Sequence, residues 1–169
     1  MTLTERLRLT DAHTTAIIGA GGKTTLLWRL AAEARTRGER VFVTTSTHIF
    51  VPSAAQCDRF LPDPDENALQ NALMQTGVTA AGIPSADGKC AGLAPACFAA
   101  GQRAARRVLY EADGAKRLPL KCHRADEPAL YPETDAVVLV LGLSALGRSV
   151  RETVHRFALC PAFAGQPER

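Results

Sequence analysis

The chain alternates short apolar runs with longer segments of helical spacing. Thr14-Thr15-Ala16-Ile17-Ile18 is β-branched and apolar and stops at a glycine, which predicts a buried strand. Thr24 to Arg37 spaces Leu26, Leu27, Leu30, Ala31 and Ala34 along one helical face. Arg35 and Arg37 suit the negative end of that helix, and Gly38 stops it. Arg40 to Thr45 predicts a second strand built on Val41, Phe42 and Val43. Strand, glycine loop, helix and strand form a βαβ unit, whose strands run parallel through a right-handed crossover.

Residues 47–66 hold Pro52, Pro62 and Pro64, which predicts an irregular loop. Asn67 to Gln75 has helical spacing. Val78–Ile83 and Lys89–Leu93 flank Ser85-Ala86-Asp87-Gly88, the signature of a hairpin turn. Ala94 to Arg106 is alanine-rich and helical, and Arg107 to Glu111 predicts a third parallel strand. Ala136 to Leu141 is the clearest buried strand by its unbroken apolar run, and Ser149 to Leu159 predicts a closing helix. The alternation predicts an α/β protein, a three-layer fold with a mainly parallel central sheet, as one domain over residues 1–169.

Composition narrows the partners. The 169 residues are 46% hydrophobic and 22% charged, enough for one packed core and against wholesale disorder. A net charge of +3 is too mild to predict a nucleic-acid binder and suits an anionic small molecule. Residues 1–13 lack the apolar core of a signal peptide, and no apolar run is long enough for a membrane helix. Cys57, Cys90, Cys97, Cys122 and Cys160 are odd in number and form no C-x-x-C pair, so the expectation is reduced thiols in the cytoplasm.

Between the first strand and its helix lies Gly19-Ala20-Gly21-Gly22-Lys23-Thr24-Thr25. A polyphosphate needs several main-chain N–H groups converging on its oxygens, and bare glycine permits that approach. The following helix N-terminus adds oriented donors. In this cradle Lys23 is predicted to reach the β- and γ-phosphates, Thr24 to offer Mg²⁺ a hydroxyl, and Thr25 to lie toward the α-phosphate. The common G-x-x-x-x-G-K-[ST] pattern wants glycine at position 17, where this chain has Ile17. The spacing instead resembles the G-T-x-G-K-T-T loop of Mur-type ATP-dependent ligases. The expectation is a P-loop NTPase-like domain taking ATP or GTP.

A magnesium–nucleotide site also needs an acid at the end of a neighbouring strand. Glu111 and Asp113 are two apart, so on extended chain they share a face, and the carboxyl ends of parallel strands face the ligand crevice. Asp113 is the first expectation for the metal. Glu111 is expected to hold a metal-bound water or orient an attacking one. Thr44, Thr45, Ser46, Thr47 and His48 end the second strand. Their hydroxyls could serve the γ-phosphate or, through Thr45, the metal, or could simply satisfy the chain as it leaves the sheet. His48 could position a water or a substrate, although a lone histidine is more often structural. Lys116, Arg117, Lys121, His123 and Arg124 follow the acids, and Arg148, Arg151, His155 and Arg156 come later. Most of these read as solvated. Lys116, Arg117 and Lys121 are candidates for phosphate or anionic-substrate contacts. Cys122, between Lys121 and His123, stands in a setting that could lower its pKa, although a buried, inert thiol is the plainer reading.

Taken in order, Gly-Ala-Gly-Gly-Lys-Thr-Thr-Leu-Leu, Val-Thr-Thr-Ser-Thr-His-Ile and Glu-Ala-Asp-Gly-Ala-Lys-Arg-Leu-Pro-Leu-Lys resemble the YqeC-type selenium-dependent hydroxylase accessory proteins. Glu127-Pro128, the strand into Gly142-Leu143 and Val154-His155-Arg156 are similar as well, so the resemblance runs from Ile17 to Arg156. It implies motif residues at Gly19 to Thr25, Thr44 to His48, Glu111, Asp113, Lys116, Pro119, Lys121 and His155-Arg156. It also implies a link to maturation of selenium-dependent molybdenum hydroxylases, with such a hydroxylase or its maturation factors as partners. Members carry His-Glu-Pro where this chain has Asp126-Glu127-Pro128, and they continue past Arg169, so a C-terminal portion is expected to be missing. The functional expectations are three: a Mg²⁺-dependent NTP hydrolase acting as accessory factor, an ATP-dependent small-molecule kinase or ligase, and a nucleotide-gated binding module without turnover.

Overall fold

The structure, a computed structural model, describes residues 1–161. A one-turn helix, α1 (Leu3–Arg6), opens the chain under a Thr2/Glu5 capping box. Strand β1 (Thr14–Gly19) leads through the glycine loop into α2 (Lys23–Thr36), then β2 (Arg40–Thr45), β3 (His48–Phe50) and β4 (Arg59–Pro62). Helix α3 (Glu66–Leu73), strands β5 (Gly77–Pro84) and β6 (Lys89–Ala91), helix α4 (Pro95–Ala104) and strand β7 (Arg107–Glu111) follow. The chain continues through β8 (Leu120–Lys121), β9 (Ala136–Val140), the one-turn α5 (Val150–Thr153) and β10 (Val154–His155).

Six strands lie parallel in the order β4-β5-β2-β7-β1-β9, and β3 and β6 extend one corner antiparallel. The period of two along each strand sorts the core into two layers. Val41, Val43, Ile17 and Leu109 pack with Leu27, Leu30 and Ala31 of α2 on one face. Phe42 and Val108, from the alternate positions, pack with Leu69, Leu73 and Phe98 of α3 and α4 on the other. Helices therefore cover both faces of a mostly parallel sheet, as the alternation predicts. Each fully buried Leu or Phe contributes about 1.5–3 kcal/mol through area removed from water. Among the described residues no helix is long and apolar enough to cross a membrane.

The strand order positions the chemistry. β7 lies between β1 and β2, pairing Ile17 with Glu111 on one side and Thr45 with Glu111 on the other. The parallel strands joined by α2 are therefore not neighbours, and the carboxylates at the end of β7 are delivered beside the glycine loop.

Three predicted elements need correction. Residues 47–66 are not one loop: they contribute β3 and β4. The prolines obscured β4, yet Pro62 is tolerated because it ends an edge strand, where a missing N–H breaks no ladder. Residues 149–159 do not form a continuous helix. After one turn ending at Thr153, β-branched Val154 leaves the helix and, in β10, pairs with Leu120 of β8. The apolar run forms strand β9 (Ala136–Val140), but among the described residues β9 is an edge strand paired only with β1, and it leaves Val137 47% and Leu139 56% exposed.

Candidate functional site

The loop after β1 is held by conformation and by close packing. Gly19 has φ +92°, and a Cβ there would sit 2.3 Å from the carbonyl oxygen of Val140. The Ala20 N–H donates to that same oxygen at 2.8 Å, so this part of the loop is pinned to β9. Gly22 caps α2 at φ +130°, where a Cβ would meet Val140 Cγ1 at 3.9 Å, an ordinary van der Waals contact, and no side chain caps the helix. The first-turn N–H groups of α2 are thus unclaimed by a capping side chain and face the cleft.

A cleft of about 770 Å³ opens in front of this helix end. Gly21, Gly22, Lys23, Thr24 and Thr25 form one wall, whereas Gly19 and Ala20 lie behind it. Glu111, Asp113 and the segment 114–118 form the floor, and His48, Phe50 and Lys89 face the loop from the β3–β6 corner.

Lys23 is nearly buried although it lines the cleft. Its ammonium donates to the Gly19 carbonyl at 2.8 Å, lies 2.9 Å from Asp113 Oδ1 and 3.9 Å from Glu111 Oε2. The Asp113 contact is a charge contact set off the hydrogen-bond axis of Oδ1. The other Asp113 oxygen accepts from the Gly19 N–H at 2.8 Å and lies 2.6 Å from His123 Nε2. Burial opposes the Asp113 charge, but Lys23, the Gly19 N–H and His123 together hold its carboxyl below the ordinary aspartate value.

Glu111 is placed differently. Thr24 Oγ1 donates to its Oε1 at 2.5 Å. Burial raises its carboxyl above the ordinary glutamate value; the Thr24 bond and Lys23 only partly offset this, and the Asp113 charge adds to it. The two acids share a face, as their spacing implies, but have distinct surroundings: Asp113 is wrapped by cations and a main-chain donor, and Glu111 touches a hydroxyl at the first turn of α2.

Behind the acids lies a charge network that no local pattern announced. Lys121 donates to the Gly114 carbonyl at 2.8 Å and to Glu127 at 3.0 Å, and its ammonium is 3.4 Å from Asp113. Arg156 donates to the same Glu127 oxygen. Burial opposes the Glu127 charge, yet Arg156 and Lys121 draw its carboxyl down to about 2. His155 pairs in register with Lys121, and burial followed by the charges of Arg156, Lys121 and Lys116 lowers its pKa. The His123–Asp113 and Arg156–Glu127 contacts join residues 10 and 29 positions apart in sequence, which only the fold brings together.

Several expected site residues face elsewhere. Lys121 is not available to a phosphate, because its side chain is 1% exposed and its charge is matched by Glu127 and Asp113. Thr44 donates to the Ala81 carbonyl inside the sheet, and Thr45 donates to the Glu111 carbonyl while accepting from the Thr47 N–H. None of these three hydroxyl-bearing residues lines the cleft, so neither the phosphate contacts expected of Thr44 and Thr47 nor the metal role expected of Thr45 has support in the geometry; their hydroxyls satisfy the chain as it leaves β2. His48, Lys116 and Arg117 do line the cleft. Cys122 is raised, not lowered, in pKa, by burial and by neighbouring Cys160. All five cysteines are free.

The fold and site define a class: a three-layer α/β protein with a glycine-rich strand-to-helix loop facing paired acids. Residues 15–158 match the family described as YqeC protein, and the chain belongs to that family. It is 36% identical over 148 residues to "Uncharacterized protein YqeC" of Escherichia coli (strain K12), an alignment covering 85% of this chain and 57% of that protein. The chain thus spans little more than half the length of this relative. No solved structure matches.

Proposed function

We propose that this chain is a P-loop nucleotide-binding domain that takes Mg²⁺-ATP or Mg²⁺-GTP in the cleft before α2 and hydrolyses it. The observation that carries the reading is the placement of Lys23: a nearly buried ammonium at the N-terminus of a glycine-capped helix, held against two carboxylates at the end of the adjacent strand. On nucleotide binding Lys23 would move its charge from Asp113 to the β- and γ-phosphates, and the uncapped N–H groups of α2 would hold the phosphate oxygens.

Thr24 and Glu111 fit a magnesium ion, since both offer hard oxygens and the two already touch. When bound, the ion would neutralise charge on the phosphates. In this reading Glu111 takes the metal side, by ligation or through a water, and Asp113 keeps Lys23 and the Gly19 N–H in place. Asp113, first expected at the metal, is thereby a positioning residue. The free thiols support a cytoplasmic site of action. The family resemblance supports an accessory role in maturation of selenium-dependent molybdenum hydroxylases, with such an enzyme or its maturation factors as partner.

A panel of nucleotides, titrated calorimetrically with and without Mg²⁺ and followed for phosphate release, tests the reading. Lys23→Ala is expected to weaken triphosphate binding by roughly a hundredfold, about 2.7 kcal/mol. Affinity unchanged in that variant would overturn nucleotide binding through the loop. Tight binding with no phosphate released would leave a binding module in place of a hydrolase.

A further inference from the structure

The cleft does not end at the acids. Beyond Glu111 it runs to the β3–β6 corner, where Phe50 is 48% exposed. β3 alternates, turning Ile49 inward and leaving His48 and Phe50 outward, and Phe50 pairs in register with Lys89. The guanidinium of Arg117 lies over the Phe50 ring at 5.1 Å, and Lys89 Nζ is 5.7 Å from the ring centre. Lys89 is already matched by Asp87. Lys116 and Arg117, among the described residues, have no carboxylate partner. They occupy consecutive left-handed backbone positions, φ +47° and +63°, which non-glycine residues seldom adopt. Two cations without a carboxylate partner and an exposed aromatic ring thus border the same cleft.

Resting on the nucleotide reading, we propose that Phe50, Lys116 and Arg117 form a second-ligand subsite for a planar aromatic molecule carrying a phosphate or carboxylate. The ring would lie against Phe50 and the anion against Lys116 and Arg117. Direction along the cleft separates this from a nucleobase pocket. Lys23, Thr24 and Glu111 define the terminal-phosphate end of the bound nucleotide, and Thr25 lies toward the α-phosphate. Thr45 pairs with Glu111, so the chain leaving β2 into β3 passes the terminal-phosphate end. Phe50 therefore stands beyond the last phosphate, where a second molecule would meet the nucleotide. A cleft of this size accommodates both a phosphate tail and a ring, since pockets of about 300–1,000 Å³ take drug-sized ligands.

The test titrates 1-naphthyl phosphate, with 1-naphthol and inorganic phosphate as controls, against the chain with and without a non-hydrolysable Mg²⁺-ATP analogue. Naphthyl fluorescence reports the ring, and calorimetry reports the analogue. The expected result is saturable binding of 1-naphthyl phosphate alongside the analogue, roughly tenfold tighter than either control. Phe50→Ala and Arg117→Ala should each weaken it roughly tenfold, Phe50→Ala should leave analogue affinity within about twofold, and Phe50→Tyr should retain binding. Both positions are exposed, and thermal melts verify that the variants fold. The proposal is overturned if naphthyl phosphate competes with the analogue, if Phe50→Ala weakens the analogue equally, or if the variants leave naphthyl phosphate unaffected. If the wild-type chain takes no analogue, the nucleotide reading fails, and the titration without it still decides whether Phe50 and Arg117 hold an aromatic anion.

Discussion

Thr24 Oγ1 and Glu111 Oε1 are 2.5 Å apart, joining the first turn of α2 to the carboxyl end of β7. The contact brings a hydroxyl and a carboxylate together across 87 residues, in a cleft that Lys23 also lines. Asp113, two residues on, makes no such contact and grips Lys23, Gly19 and His123 instead. The two acids should therefore respond differently to neutralisation.

Glu111→Gln removes a carboxylate whose charge burial disfavours. Its raised pKa means that Glu111 favours folding below its unfolded pKa and loses that contribution as pH rises through the folded value. At pH 8 the variant is expected to be as stable as the parent or slightly more so, while losing the Mg²⁺ dependence of nucleotide binding. Asp113→Asn leaves Lys23 without its nearest counter-charge and is expected to cost about 3 kcal/mol, on the scale of broken buried ion pairs. Chemical denaturation of both variants, paired with Mg²⁺ titrations, checks the contrast. Equal destabilisation by the two would refute the division of roles.

Two loop glycines should fail for different reasons. Gly19→Ala drives a Cβ to 2.3 Å from a main-chain oxygen and is expected to destabilise the fold by about 3 kcal/mol or more. Gly22→Ala makes only an ordinary contact with Val140 and suffers the positive φ, about 1–2 kcal/mol, yet it should impair nucleotide binding by crowding the phosphate approach. Melting curves and affinities for the two variants separate stability from binding.

Glu127 predicts the acid limb of stability. Its folded pKa of about 2 lies below the usual 4.5, so its contribution is complete above pH 4.5 and is lost as pH falls toward 2. Glu127→Gln should lower stability at pH 7, by leaving Lys121 and Arg156 without their shared acid, and should flatten the stability profile between those two pH values. A profile as steep as the parent's would assign the acid sensitivity to other groups.

Substitutions on β9 should be cheaper than on its neighbour. Leu139→Thr, at a side chain 56% exposed, is expected to cost under about 1 kcal/mol, whereas Ile17→Ala, at a fully buried side chain of β1, should cost about 2–4. Denaturation midpoints of the two variants test whether β9 is an edge in solution.

Much of the fold was legible because its signals are local. Ile17 before the glycine run, Val41-Phe42-Val43 and the spacing of Leu27, Leu30 and Ala34 each state an element without reference to the rest of the chain. β4 was hidden, since three prolines outweigh Phe60 and Leu61 in any local reading and only pairing with β5 makes them a strand. The exposure of β9 was equally hidden, because Ala-Val-Val-Leu-Val-Leu records hydrophobicity and not how many neighbours cover it.

By itself the sequence determined the glycine cradle, its lysine, the helix behind it and the pair of acids two apart, because glycine φ freedom, helix spacing and strand periodicity act over a few residues. Only the tertiary structure decided which acid meets Thr24, that Lys121 is neutralised by Glu127, that Thr44 and Thr45 turn from the cleft, and that Phe50 meets Arg117. Those outcomes depend on β7 lying between β1 and β2 and on where the β3–β6 corner falls. Strand order is set by burial summed over the whole sheet, and no short stretch of chain carries that sum.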